Sequence, residues 1–126
     1  GLDAPTDYGS GVEFASAALD VAGAGASLQL GLYVAWSLEA IVAGALDANI
    51  DLLRAYLAAL APRKAYVRIG YEFDNPDNRH APGPYKEAFR RIATRLKTET
   101  DNVRTVWHSW CFEPWAAAGG AGIAAW

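Results

Sequence analysis

The stretch Tyr66–Asp74 reads YVRIGYEFD, and its apolar first half predicts a β-strand that ends close to Glu72. Successive side chains of a strand point to opposite faces, so we expect Arg68, Gly70 and Glu72 on one face and Tyr71 on the other. A strand this apolar is usually buried on both faces. A buried arginine keeps its charge and therefore needs a carboxylate partner. The stretch thus predicts an acid–base site at a strand end.

Helical and strand periodicities surround this stretch. Residues 46–60 carry apolar side chains at helical spacing, with Asp47 as the expected N-cap, and Pro84 is typical of a helix start. In the helix after Pro84, the apolar stripe is expected to be buried, and charged residues such as Arg91 and Arg95 are expected to face solvent. The predicted elements are a short helix over 12–18, strands over 27–34, 65–71 and 103–108, and helices over 46–60 and from Pro84 onward.

The order strand, helix, strand, helix, strand predicts an α/β fold with a parallel sheet and right-handed crossovers. Long loops follow the strands and short loops follow the helices, which gathers the long loops at the carboxyl edge of the sheet, where such folds carry their chemistry. A glycine-rich phosphate loop would favour an open nucleotide-binding sheet. The nearest sequence, GGAG at 119–122, follows no strand directly. A (β/α)8 barrel accommodates a polar strand interior and suits Arg68 and Glu72.

Composition excludes several classes of protein. The 126 residues suffice for one domain, the net charge is −3, and the basic residues form no cluster, so nucleic-acid binding is not expected. No apolar run reaches membrane-spanning length. A lone Cys111 excludes an internal disulfide and is typical of a small core residue. His80 and His108 lack metal-ligand spacing, so no metal or cofactor is expected.

The two ends of the chain favour an internal fragment. The sequence contains no Met, opens in a turn-rich stretch and stops on the apolar Trp126. We therefore expect residues 1–126 to be an internal fragment of a longer protein.

Polar and aromatic residues collect where the predicted strands end, and they favour sugar binding over metal binding. Glycoside cleavage needs a protonated and an ionised carboxyl group. Glu72 lies between Tyr71 and Phe73, which favours its protonated form, and Arg68 is suited to hold an ionised partner. The residues at the strand ends are Trp36, Glu72, Asp74, Asn75, Asp77, Asn78, His80, Trp107, His108 and Trp110.

These residues resemble a known family. Residues 67–74, VRIGYEFD, are similar to the fourth-strand motif of glycoside hydrolase family 26, in which an Arg stands four residues before the acid/base Glu. Residues 84–91 and 102–109 resemble its fourth helix and fifth strand. The resemblance runs from about Gly31 to Trp110. It implies a partial (β/α)8 TIM barrel, with roughly strands 3 to 5 and their helices in this chain. Residues 1–126 would then be a fragment of a single glycoside hydrolase catalytic domain, inactive and poorly stable alone because the barrel is not closed.

The resemblance implies a retaining, endo-acting hydrolase of a β-linked polysaccharide such as mannan or a related β-glucan or xylan. Glu72 would be the general acid/base, and the nucleophile, a Glu on the seventh strand, would lie beyond Trp126 and be neither Glu39 nor Glu113. Tyr71, Asp74 and Asp77 replace the usual His, Asn and Trp, a departure from the mannanase pattern. The implied protein is secreted and monomeric. Substrate contacts are expected from Arg68, Tyr71, Asp74, Trp107, His108 and Trp36.

Two other classes remain open. One is a non-catalytic polysaccharide-binding relative that kept the cleft and lost the chemistry. The other is an ordinary α/β domain in which Arg68 and Glu72 form a structural ion pair.

Overall fold

The computed structural model of the chain describes residue 20, residues 22–110 and residue 126. It contains a three-stranded parallel sheet in the order β1-β2-β3, so the stretch that carries Glu72 follows the central strand. In the register, Arg68 of β2 lies beside Gly31 of β1 and Val106 of β3. The strands are β1 (Leu28–Leu32), β2 (Ala65–Ile69) and β3 (Val103–Val106). The parallel α/β prediction is confirmed, with each strand shorter than expected.

Three α-helices and one 3-10 turn connect the strands. The first helix was not predicted, the second begins with Asp47 inside the helix and Leu46 as N-cap, and the third starts two residues before Pro84. The predicted helix over 12–18, Cys111, Glu113 and residues 119–122 lie outside the described residues. The elements are α1 (Leu38–Val42), α2 (Asp47–Ala59), a 3-10 turn (Pro76–Asn78) and α3 (Pro82–Lys97).

The core lies between one face of the sheet and the helices. Ala65, Val67 and Ile69 of β2 are fully buried there, together with the apolar stripes of α2 and α3. The alternate residue Tyr66 is 40% exposed. The expectation that β2 is buried on both faces is therefore wrong for the described residues, because α2 and α3 cover only one of them.

Ion pairs join α2 to α3. Arg91 binds Asp47 through two N–H groups, Nε at 2.7 Å and Nη2 at 2.6 Å, and Arg95 lies 3.0 Å from Asp47 and 2.5 Å from Asp51. The hydrogen bond from Arg91 lowers the pKa of Asp47. Arg91 and Arg95 were expected to face solvent, but they are partly buried because the helices pack closely enough for these pairs.

The loops show the predicted asymmetry after β2 but not after β1, where residues 33–37 alone precede α1, because this unpredicted helix occupies part of the expected long loop. Residues 60–64 and 98–102 connect helices to the following strands, whereas residues 70–81 separate β2 from α3. Asn102, 4% exposed, donates hydrogen bonds to the carbonyls of Leu57 and Arg63, both at 2.9 Å, and closes the amino edge of the sheet. Within the described ranges, no helix combines the length and apolarity needed to cross a lipid bilayer.

Candidate functional site

The chain changes course immediately after β2. Gly70 has φ of 55°, a left-handed conformation that glycine adopts without a steric cost. A Cβ at this position would lie 2.7 Å from a ring carbon of Tyr85 and 2.8 Å from Val34. The turn after β2 therefore depends on the missing side chain.

At this turn, successive side chains stop alternating between the two faces of the sheet. Tyr71 lies beside Arg68, whose guanidinium carbon is 5.5 Å from the Tyr71 ring centroid. The prediction that Arg68 and Tyr71 point to opposite faces is wrong, because the left-handed Gly70 rotates the chain out of the two-residue repeat. The ring of Tyr71 also packs against the ring of Tyr33, with 6.2 Å between the ring centroids. Tyr71 and Arg68 thus meet on the sheet face away from the helices.

Hydrogen bonds hold Glu72 in a second left-handed conformation, with φ of 54°. A non-glycine residue in this region costs about 1–2 kcal/mol. The Glu72 N–H donates to Nδ1 of His108 at 3.3 Å, and the Glu72 carbonyl accepts from the Asn78 amide at 2.8 Å. The Asn75 amide donates to Oε2 of the Glu72 carboxyl at 3.1 Å. These bonds offset the backbone strain and fix a half-buried carboxyl at the carboxyl edge.

The bond to His108 defines the tautomer of that side chain. Because Nδ1 accepts from the Glu72 N–H, the proton of the neutral imidazole resides on Nε2. The His108 carbonyl also accepts from the Phe73 N–H at 3.2 Å. His108, predicted as a substrate contact, is therefore also a positioning residue for Glu72.

Asn75 and Asn78 organise the short turn that follows. The Asn75 side chain accepts from the Asp77 N–H at 3.0 Å and so caps the 3-10 turn, while Asn78 also donates to the Tyr71 carbonyl at 3.2 Å. Both residues appeared among the strand-end residues, but neither was predicted to contact Glu72. The signal that was available is Asn75-Pro76, a pair that favours turn initiation.

Asp74 joins the loop after β2 to the chain after β3. It is 7% exposed, and its carboxylate accepts hydrogen bonds from the Ser109 hydroxyl at 2.6 Å and from the Trp110 N–H. Ser109 was missed by the sequence analysis. The predicted contact between Asp74 and a substrate stays a prediction, whereas its bonds tie the two loops of the site together.

Arg68 has no carboxylate partner in the described part of the chain. Its buried Nε donates no hydrogen bond to the described residues, while its guanidinium lies over the ring of Tyr71. The carboxyl of Glu72 bonds to Asn75 instead of Arg68. The alternative of a structural Arg68–Glu72 pair is thus wrong for the described residues, because the left-handed turn aims Glu72 elsewhere. The expected carboxylate partner of Arg68 stays a prediction.

Exposed aromatic rings surround this edge. Trp36, after β1, is 73% exposed, and the Arg79 guanidinium carbon lies 5.2 Å from its ring centroid. Trp107, after β3, is 43% exposed and packs its remaining surface on Phe73 and Phe89, at centroid distances of 4.8 and 4.6 Å. Trp36 therefore offers a free ring face, whereas Trp107 is anchored in the core.

Burial shifts the pKa values of two titratable groups that lie beneath the carboxyl edge of the sheet. His80 stacks on Tyr85 with 5.3 Å between ring centroids. Burial lowers the pKa of His80, an effect that the Phe73 backbone only partly opposes. Burial also raises the pKa of Tyr85, whose hydroxyl donates to the Ile69 carbonyl at 2.8 Å. His, Cys, Asp and Glu side chains form no metal-binding group of three within the described residues.

Comparison with known proteins finds sequence similarity to two glycosidases. The chain is 32% identical over 89 residues to a beta-1,3-xylanase from Alcaligenes sp and, with the same identity and length, to the beta-1,3-xylanase TXYA from Vibrio sp. Each match covers 68% of this chain and 19% of the relative, so the chain spans about a fifth of the length of the curated relatives it matches. No known family profile matches the chain.

Proposed function

We propose that this chain is part of a retaining glycoside hydrolase that cleaves a β-linked polysaccharide, with Glu72 as the general acid/base. The observation that carries the proposal is the Glu72 carboxyl at the carboxyl edge of a parallel sheet, where Asn75 binds the carboxyl and Asn78 and His108 bind its left-handed backbone. The similarity to two β-1,3-xylanases supports it.

The chemistry assigns two successive proton transfers to Glu72. Its protonated carboxyl gives a proton to the leaving glycosidic oxygen, and the resulting carboxylate then takes a proton from the water that releases the sugar. The Asn75 amide fixes Oε2, and the described residues place no hydrogen bond on Oε1, which is free to meet the scissile oxygen.

A glycosidase that retains the anomeric configuration needs a second carboxyl group, about 5–5.5 Å from the first. We assign this nucleophile to none of the described carboxylates and propose that it comes from another strand of a (β/α)8 barrel, as in glycoside hydrolase family 26. Arg68 lies on the sheet face away from the helices, which would be the barrel interior. Its buried Nε, which has no hydrogen-bond partner among the described residues, is a donor suited to that carboxylate or to the substrate.

The substrate we propose is an internal bond of a xylan-like polymer, because the relatives are named for β-1,3-xylan cleavage. Trp36 and Tyr71 would contact sugar rings. Neither a cofactor nor a nucleic acid has a role in this chemistry. A polymeric substrate does not cross a membrane, so we propose that the enzyme is secreted. We propose separately that it is a monomer.

The test is Glu72→Gln in the full-length protein, with Glu87→Gln on the exposed face of α3 as the matched control. General acid catalysis contributes about 10²–10⁴-fold, and we expect a loss of that size on xylan and a smaller loss on aryl glycosides with good leaving groups. The measurement is kcat/KM on both substrates. Near wild-type hydrolysis of xylan by Glu72→Gln contradicts the assignment, and polysaccharide binding without turnover in the wild type supports the non-catalytic class instead.

A further inference from the structure

Trp36 and Arg79 come from different loops and meet at the carboxyl edge. The Arg79 guanidinium carbon lies 5.2 Å from the Trp36 ring centroid, yet the tryptophan keeps 73% of its surface exposed. Each residue has a left-handed backbone, with φ of 72° at Trp36 and 54° at Arg79. Non-glycine residues in this conformation cluster at ligand-binding sites, where the surrounding structure holds them.

The turn that holds Arg79 is the turn that positions Glu72. The Arg79 N–H donates to the Pro76 carbonyl at 3.1 Å and closes the 3-10 turn that Asn75 caps. The same Asn75 side chain donates to the Glu72 carboxyl. Asn75 and Arg79 directly flank the three-residue 3-10 turn. The turn that positions the Glu72 carboxyl therefore also positions Arg79, near where a sugar unit next to the cleavage point would bind.

The charge of Arg79 is free for a ligand. In the described part of the chain, Arg79 takes part in no ion pair, and its guanidinium lies over the ring of Trp36. A guanidinium stacked on an indole keeps its N–H donors at the edge of its plane, where they match a carboxylate or sulfate in a bidentate manner. A neutral sugar offers no such partner.

We propose that Trp36 and Arg79 together form a subsite for a sugar unit that carries an anionic group, either a uronate carboxylate or a sulfate ester. The indole takes the sugar ring, and the guanidinium binds the anion. This subsite rests on the proposed glycosidase function and adds a preference for acidic glycans to it.

The test measures binding to the full-length protein carrying Glu72→Gln, by calorimetry, so that the ligand is not cleaved. The probes are a neutral β-xylo-oligosaccharide, the same oligosaccharide with one glucuronate side group, and the same with one sulfate ester. Adding Arg79→Gln should weaken binding of an anionic probe by about tenfold to a hundredfold, the ratio that charge-assisted hydrogen bonds give. Binding of the neutral probe should change by less than about twofold, and Arg90→Gln, an exposed arginine on α3, should alter none of the three.

The possible outcomes distinguish a failure of the Trp36–Arg79 subsite from a failure of the proposed glycosidase function. If Arg79→Gln weakens binding of the glucuronate probe alone, the ligand group is the carboxylate. If it weakens binding of the sulfated probe alone, the ligand group is the sulfate ester. Equal losses for neutral and anionic probes, or no loss for either anionic probe, overturn the subsite. If the wild type still hydrolyses neutral xylan in that case, the glycosidase proposal stands without it. Absence of glycan binding and of hydrolysis overturns both.

Discussion

The amino and carboxyl edges of the sheet each contain an asparagine that bridges two backbone carbonyls, but the two serve different ends. At the amino edge, the buried Asn102 donates to Leu57 and Arg63 and closes a short loop. At the carboxyl edge, the half-buried Asn78 donates to Tyr71 and Glu72 and holds an open turn in a left-handed conformation. The same hydrogen-bonding device thus gives stability at one edge and the orientation of a carboxyl at the other.

The largest effect is expected from Gly70→Ala, which disrupts the carboxyl edge at its base. The new methyl group would meet Tyr85 and Val34 at less than 3 Å, and its backbone would be left-handed. Overpacking and backbone strain together should lower the free energy of unfolding of the full-length protein by about 3 kcal/mol or more. Chemical denaturation measures this loss.

Gly25→Ala is the matched control, because nothing lies within 4 Å of a Cβ at Gly25 and its φ is not in the left-handed region. Its effect should stay within about 0.5 kcal/mol. Equal stability of the two alanine variants would show that the turn after β2 tolerates a side chain, against the geometry described above.

The second prediction compares the two asparagines directly. Asn102→Ala leaves two carbonyls without their donor in a buried place and should cost about 1–3 kcal/mol of stability, with kcat per folded molecule unchanged. Asn78→Ala should cost about 1 kcal/mol, because water reaches its partners, and should lower kcat about tenfold through misplacement of Glu72. Urea denaturation and xylan hydrolysis measure the two effects. A loss of kcat in Asn102→Ala as large as in Asn78→Ala would remove the distinction between the edges.

Sequence periodicity predicts most of the fold and little of the site geometry. The apolar spacing of Ile50, Leu53 and Leu57 marks the buried face of α2, because a helix places such residues together whatever else surrounds it. The long loop after β2 likewise identifies the carboxyl edge. Both signals are local, so they can be read from the sequence without knowledge of the tertiary structure.

The details of the site depend on contacts between distant parts of the chain. The bond from Glu72 to His108 spans 36 residues, and the bond from Ser109 to Asp74 spans 35. No local pattern encodes these pairs, and the left-handed Glu72 persists only because they form. The wrong side predicted for Tyr71 has a different cause, because the strand alternation takes no account of the left-handed Gly70.

The smallest effect concerns pH and His80, which lies under the carboxyl edge against Tyr85. Burial lowers the pKa of His80 below its usual 6.5, so the unfolded chain binds a proton more readily than the folded one. Its contribution to stability is therefore complete above about pH 6.5 and declines as the pH falls from 6.5 towards the lowered folded value, by at most about 1.4 kcal/mol per pH unit. His80→Phe keeps a ring against Tyr85 without the titration, and it should reduce the difference in Tm between pH 7.5 and pH 5. Because the carboxylates titrate alike in both proteins, the comparison isolates His80, and an unchanged pH dependence in His80→Phe would show that this imidazole does not link stability to pH.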